Sequence, residues 1–513
     1  MRRLLCLVAL AGLLLSCSRP AAEPLRNVLF ISADDHATHA VGSYGNSVIR
    51  TPNIDRLAAE GTRFENAFAN SPICTVSRQS IITGKYPHAT GVTLLQTPLA
   101  EEQVTVADQA RERGIRTAAI GKMHFNSKLR HGFDYRIDAA DHDEHLAAKP
   151  ARKPPPDVRF KPVWQPFRTP ARQWLNADTL PGTGYPRPAN PENQGLYDED
   201  SLGTFFARKA IDFLRDHREE RMLVWLSFYE PHSPFNLPVE FSTNYTREEV
   251  PLPETSPEDD HWVPEIFRNL SEEDKRGIVR SYYSSVEYLD NNVGRVLRAL
   301  DELGLADSTL VVYTSDHGYL LDHHRRFEKH MMWEEAERVP LIVRDPRRKA
   351  GVSQALVELI DLVPTILDAL GVPQIEGMHG QSLEALLAGR TGPHRDQVFA
   401  EYMHDNKAML RTEKWKYIFA TGEKDLELGY QTGKGPAGLH ERLYDLAADP
   451  REFRNVAADP ANREILADLR ARTLRVFEET DPRAARLPAG LSEFERLSRF
   501  VQPVERDPSV PGG

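Results

Sequence analysis

Asp34 and Asp35 are adjacent carboxylates, and Asp316-His317-Gly318 sets a third carboxylate beside an imidazole. Neighbouring carboxylates repel one another unless a cation neutralises them. Hard oxygen donors suit Ca²⁺ or Mg²⁺. A double aspartate alone is more often a turn or a helix cap, and Asp-His-Gly alone is a weak signal. Taken together, Asp34, Asp35, Asp316 and His317 read better as a metal site. A second set is cationic: Arg78, Lys122, His124, His232 and Lys329. Singly, such residues are mostly solvated. Lys122 and His124 directly follow an apolar run, however, and His232 is held between Pro231 and Pro234, whose rings fix the backbone. Arg78 lies near the start of a helix expected over residues 77–83, and a helix N-terminus favours anions. Four residues before it stands Cys74, either a reactive thiol or a small buried apolar residue.

These groups can share a site only if the fold gathers them. Residues 27–31 read as a buried strand leading into Asp34-Asp35. Residues 117–120 lead into Lys122 and His124, 223–228 into His232, and 309–313 into Asp316. Helical patterns lie between, at 54–60 and 281–303. Strands alternating with helices predict an α/β fold with a large, mostly parallel or mixed sheet flanked by helices. Function in such sheets collects beyond the carboxyl ends of the strands. Residues 149–193 are proline-rich and aperiodic, and read as a surface insertion. From about residue 394 the pattern changes. Strands are expected within 408–419 and 441–446 and a helix over 461–480, making a small α+β subdomain with a short antiparallel sheet. The expected division is a catalytic domain at 26–393, a C-terminal subdomain at 394–486, and a tail at 487–513 that is packed on the surface or partly loose.

The 513 residues carry a net charge of -11, which argues against nucleic acid as a partner. An anionic small substrate would need a local island of cations. At the N-terminus, Arg2 and Arg3 precede an apolar stretch at 4–15, too short to span a bilayer. Leu14-Leu15-Ser16-Cys17 then looks like the lipobox of a bacterial lipoprotein. The expectation is a signal peptide at 1–16, a lipid-bearing Cys17 and a linker at 17–25. The mature protein would be exported and anchored at a membrane surface, and Ser18 after the cysteine hints at an outer membrane. Of three cysteines, Cys6 leaves with the signal peptide and Cys17 carries lipid. Cys74 is then alone, with no partner for a structural disulfide.

Cys74-Thr75-Val76-Ser77-Arg78, followed by a helix ending in Thr83-Gly84, resembles the signature of the formylglycine-dependent sulfatases of the alkaline phosphatase superfamily. Thr51-Pro52-Asn53-Ile54-Asp55-Arg56-Leu57 and Gly121-Lys122-Met123-His124 are similar to further motifs of that family. So are Asp316-His317-Gly318 through Lys329, Arg338-Val339-Pro340-Leu341, and Leu443-Tyr444-Asp445-Leu446. Their order makes chance implausible, and the resemblance spans most of the chain.

The resemblance implies hydrolysis of sulfate esters. Cys74 would be oxidised by a maturation enzyme to formylglycine, whose hydrated aldehyde carries two hydroxyls on one carbon. Asp34, Asp35, Asp316 and His317, together with residue 74, would hold one divalent metal, Ca²⁺ first. Arg78 and Lys122 would stabilise the nucleophile and the sulfate charge. His232 and Lys329 would contact sulfate and protonate the leaving oxygen, and His124 would take the proton whose loss expels the bound sulfate. The chain departs from the family pattern in three places. Val76 stands where proline is usual, a residue the maturation enzyme reads. His317 stands where asparagine is common and could shift preference toward Mn²⁺. Asp322 replaces a common glycine, for which we have no physical account. The expected substrate is a sulfated carbohydrate, although Gly-Lys-Met-His also resembles choline sulfatases, and hence enzymes acting on a small sulfate ester. Two rival readings remain at this level. One is a phosphodiester or phosphonate monoester hydrolase of the same superfamily. The other is a non-catalytic, lipid-anchored binder of sulfated glycans, if Cys74 is not matured.

Overall fold

The computed structural model describes residues 23–150, 152, 159, 169–182, 195–422 and 438–506. The expected signal peptide, Cys17 and much of the proline-rich insertion lie outside the described residues. Among the described residues no helix is long and apolar enough to cross a membrane.

Eight strands form the main sheet, in the order β4-β3-β5-β1-β6-β7-β2-β8. They are β1 (Asn27–Ala33), β2 (Thr62–Phe68), β3 (Arg116–Gly121), β4 (Tyr135–Ile137), β5 (Met222–Ser227), β6 (Thr309–Ser315), β7 (Arg338–Arg344) and β8 (Gly351–Glu358). Only β7 runs against its neighbours; every other pairing is parallel, so the sheet is mixed. All seven residues of β1 are buried, as expected of a strand covered on both faces. Its side chains alternate between two cores. Val28 and Phe30 face a cluster that includes the helix Leu362–Leu370. Leu29, Ile31 and Ala33 face the helices Leu202–Asp216 and Glu272–Glu302.

Strands β9 (Val398–Tyr402), β10 (Lys407–Arg411), β11 (Trp415–Ala420) and β12 (His440–Asp445) form a separate four-stranded antiparallel sheet in the order β12-β11-β10-β9. The helix Arg463–Thr480 packs against it.

Several expectations need correction. The long helix begins at Glu272, well before residue 281, because Ser271 and Asp274 form a capping box there. The proline-rich segment is not wholly superficial. Its described part carries Trp174, Leu175 and Ala177 into a core with Ile278 and Tyr282. Of the two alternatives for the tail, its described part is packed, not loose: it contains a helix, Glu493–Phe500, whose Leu497 and Phe500 are buried. Phe500 stacks on Phe477 with ring centroids 5.1 Å apart. A helix this short is marginal by itself, and burial of its one apolar stripe against a tertiary partner is what orders it.

Candidate active site

Four parallel strands end on one side of the sheet and deliver the predicted groups. β1 runs into Asp34 and Asp35, β3 into Lys122 and His124, β5 into His232, and β6 into Asp316 and His317. The approach of β3 to β5 depends on Gly121. It adopts φ +96°, and a Cβ there would lie 1.9 Å from the Ser227 carbonyl oxygen. Lys122 then donates its N–H to that oxygen at 2.9 Å. Asp35 and His124 also hold positive φ, at 69° and 59°. Such backbone is uncommon for residues with a Cβ and is kept where surroundings over-determine it.

The helix bearing Cys74 spans Cys74–Thr83, so the cysteine occupies its first position. Our expected start at residue 77 was late. The N-cap is Ile73, in extended backbone with no capping side chain, so no Ser, Thr, Asp or Asn marks the boundary. Val76, also in the first turn, lies in a cluster with Leu95, Met332 and Tyr402 that includes residues of the four-stranded sheet. Every residue of this helix is buried.

Arg78 is nearly fully buried and each of its nitrogens has a task. Nε donates to Asp316 Oδ2 at 2.8 Å, and Nη1 donates to the Lys122 carbonyl at 2.7 Å and to Ser227 Oγ at 2.6 Å. Nη2 lies 3.7 Å from Asp34 Oδ1. Lys122 pairs with Asp34. Lys329 Nζ donates to Asp35 Oδ1 at 2.5 Å and reaches Cys74 Sγ at 3.4 Å. His317 Nε2 lies 3.3 Å from Cys74 Sγ and 3.4 Å from Asp35 Oδ1. His232 Nε2 lies 3.9 Å from Asp35 Oδ2, and His124 is in hydrogen-bonding contact with Cys74. All ten predicted residues therefore meet around one sulfur atom.

The electrostatics of the site are mutual. Burial pushes the Cys74 thiol up, but Lys122, Lys329 and His317 outweigh it and hold the thiol well below its ordinary value. The helix N-terminus favours negative charge at the same place. Burial likewise opposes ionisation of Asp34, yet Lys122, His232 and Arg78 keep it below the usual carboxylate range. Burial lifts Asp316 to about 6 despite Arg78, and His317 is raised to about 9, against burial, by Asp316 and Cys74.

Two observations test whether a metal fits. Asp34 Oδ1 and Asp35 Oδ2 are buried and accept no hydrogen bond among the described residues, a costly state for carboxylate oxygens that an ion would relieve. Ligand atoms of Asp34, Cys74, Asp316 and His317 lie within 4.8 Å of one another, as do those of Asp34, Asp35, Cys74 and His232. The residues fit a divalent cation.

Sequence reasoning missed the supporting shell. Ser227 links Arg78 to Ser32. Tyr282 donates to the Asp35 carbonyl at 2.6 Å. Gln79 donates to the His124 carbonyl at 2.8 Å. Glu328 accepts from Ser233. No local pattern in the chain announces these partners.

The family model described as "Sulfatase" matches residues 26–372, and that described as "N-sulphoglucosamine sulphohydrolase, C-terminal" matches 322–479. The chain is 28% identical to an N-acetylglucosamine-6-O-sulfatase of Bacteroides thetaiotaomicron, over 93% of this chain and 91% of that one. It is also 28% identical to an arylsulfatase of Clostridium perfringens, over 88% and 94%. A phosphonate monoester hydrolase of Agrobacterium radiobacter shares the fold, with TM-score 0.73, 23% identity, and coverage of 89% of this chain and 96% of that one. With a buried cysteine at a helix start, ringed by cations and buried carboxylates, the chain belongs to the sulfatase family, the hydrolases of sulfuric esters.

Proposed function

We propose that this protein removes sulfate from a sulfated carbohydrate at a site centred on residue 74. The observation that carries the reading is the convergence of Arg78, Lys122, His124, Lys329 and the buried carboxylates on Cys74. Asp34, Asp35, Asp316 and His317, with residue 74, would hold one divalent cation, Ca²⁺ ahead of Mn²⁺ or Mg²⁺. Such an ion supplies Lewis-acid polarisation of sulfate oxygens and acidifies a hydroxyl at residue 74. Formylglycine, made from Cys74 by a maturation enzyme, supplies a hydrated aldehyde with two hydroxyls on one carbon.

The chain's own groups do the rest. Arg78 and Lys122 neutralise negative charge on the nucleophile and sulfate, from fixed positions that need no reorganisation. Lys329 and His232, which both face Asp35, bind sulfate oxygens and hold a proton for the leaving alcohol. His124, in contact with residue 74, accepts the proton released when the aldehyde is restored. Val76 is compatible with this helix start, because the first turn of a helix tolerates either valine or proline. The carbohydrate preference is supported by the Bacteroides relative, an N-acetylglucosamine-6-O-sulfatase. Export and anchoring through lipid on Cys17 belong to the same proposal, supported by the sequence Leu14-Leu15-Ser16-Cys17.

Mass spectrometry of the Cys74 peptide, from protein made in its natural host, tests the nucleophile. Replacement of the thiol by an aldehyde is expected; thiol in every molecule would refute it and favour the binding-only reading. Cys74→Ala should abolish turnover with an unchanged fold. Comparing aryl sulfate with aryl phosphodiester turnover separates this reading from a phosphodiester or phosphonate hydrolase.

A further inference from the structure

His232 and Lys329 come from loops almost one hundred residues apart, yet their neighbours are bonded. Ser233, next to His232, donates its hydroxyl to Glu328 Oε1 at 2.7 Å. Glu328, next to Lys329, is buried, and the same oxygen accepts from Tyr319 OH at 3.2 Å. The Leu320 N–H donates to the Glu328 carbonyl at 2.8 Å. Tyr319 stacks on Tyr282 with ring centroids 5.2 Å apart, and Tyr282 donates to the Asp35 carbonyl at 2.6 Å. One carboxylate thus ties the His232 loop and the Lys329 loop to the backbone of Asp35, which both cations face.

The Lys329 loop needs such a tie. Glu328 and His330, on either side of the lysine, have φ of 75° and 74°. Left-handed backbone is uncommon for residues with a Cβ, so the loop keeps this path only because its surroundings dictate it. A free loop would relax and move the ammonium.

We propose that Ser233 and Glu328 are a positioning pair whose hydrogen bond sets His232 and Lys329 relative to each other on the leaving-group side of the site. The proposal rests on the reading of those two cations given above. Mispositioning a proton donor hurts most where the leaving oxygen is basic, because a good leaving group departs without protonation. A displacement of about 1 Å can cost on the order of 100-fold.

The test is turnover of a series of aryl sulfates, from nitro-substituted phenols to unsubstituted phenol, by the mature enzyme. Ser233→Ala and Glu328→Ala should each lose about 10–100-fold on phenyl sulfate and no more than a few-fold on the nitro-substituted esters. The double variant should be no worse than Glu328→Ala alone, since Ser233→Ala breaks a contact that Glu328→Ala already removes. Ser233→Thr, which keeps the hydroxyl, should restore the leaving-group dependence of the parent. Thermal unfolding of each variant identifies any that fail to fold, and Glu328→Gln, which keeps the acceptor, is the second variant if Glu328→Ala does. Equal losses across the series, additive losses, or parent-like rates in Ser233→Ala would overturn the proposal. A His232→Ala variant with a parent-like leaving-group dependence would instead overturn the reading on which it rests.

Discussion

Arg78 is the residue whose replacement the structure prices most directly. Its guanidinium contacts Asp316, Asp34, Ser227 and the Lys122 carbonyl at once. Lysine at this position keeps the charge but offers one nitrogen where arginine offers three in a planar fork. It can replace the pairing to Asp316 or the bonds to Lys122 and Ser227, not both. Losing two or three buried hydrogen bonds at about 1–1.5 kcal/mol each predicts a loss of about 2–4 kcal/mol for Arg78→Lys. Arg78→Met leaves the buried Asp316 carboxylate without its close counter-ion and should cost about 3–5 kcal/mol. Both variants should also lose turnover by about 100- to 1000-fold, the usual effect of removing a donor aimed at developing charge. Urea unfolding followed by tryptophan fluorescence gives the first quantity and aryl sulfate turnover the second. If Arg78→Lys stays within about 1 kcal/mol and about threefold of the parent, the fork geometry is irrelevant and the reasoning fails.

Three further outcomes are expected. His324 is raised to about 9, because Asp259 and Glu335 outweigh the opposing effect of its burial. Its stabilisation is therefore complete below the ordinary 6.5 and is lost as pH rises through about 9. Between pH 6.5 and 10 the parent should lose about 3 kcal/mol more stability than His324→Gln; parallel pH profiles would count against the pairing. Chelation should abolish turnover and lower the melting temperature, and Ca²⁺ should restore both; activity that persists at metal-free equilibrium would exclude the metal role of Asp34 and Asp35. Glu505 accepts from the Thr93 and Leu94 N–H groups at 2.7 and 2.9 Å and from Thr97 Oγ at 2.6 Å. Glu505→Ala strands these donors and should cost about 2–4 kcal/mol in urea unfolding, which a loose tail would not.

The sequence by itself determined four of the eight main-sheet strands, β1, β3, β5 and β6, and the residues that follow them. A buried strand is a short apolar run, and polar residues at its end stand out locally. That is why Asp34, Lys122, His232 and Asp316 were readable, and with the ordered motifs around Cys74 they named the chemistry. It also marked the small subdomain, through strand patterns and the helix that covers them.

Only the tertiary structure decided how these groups interact. Arg78 meets Asp316 across more than two hundred residues of chain, and no local pattern encodes that bond. The antiparallel course of β7 depends on pairing with β6 and β2, not on its own residues. The start of the Cys74 helix was hidden because no side chain caps it. The Glu493–Phe500 helix was hidden because its burial depends on Phe477. The Ser233–Glu328 contact was hidden for the same reason. Local periodicity reports what a segment must bury, whereas the partner that buries it, or shares its proton, is chosen by packing between segments far apart in the chain.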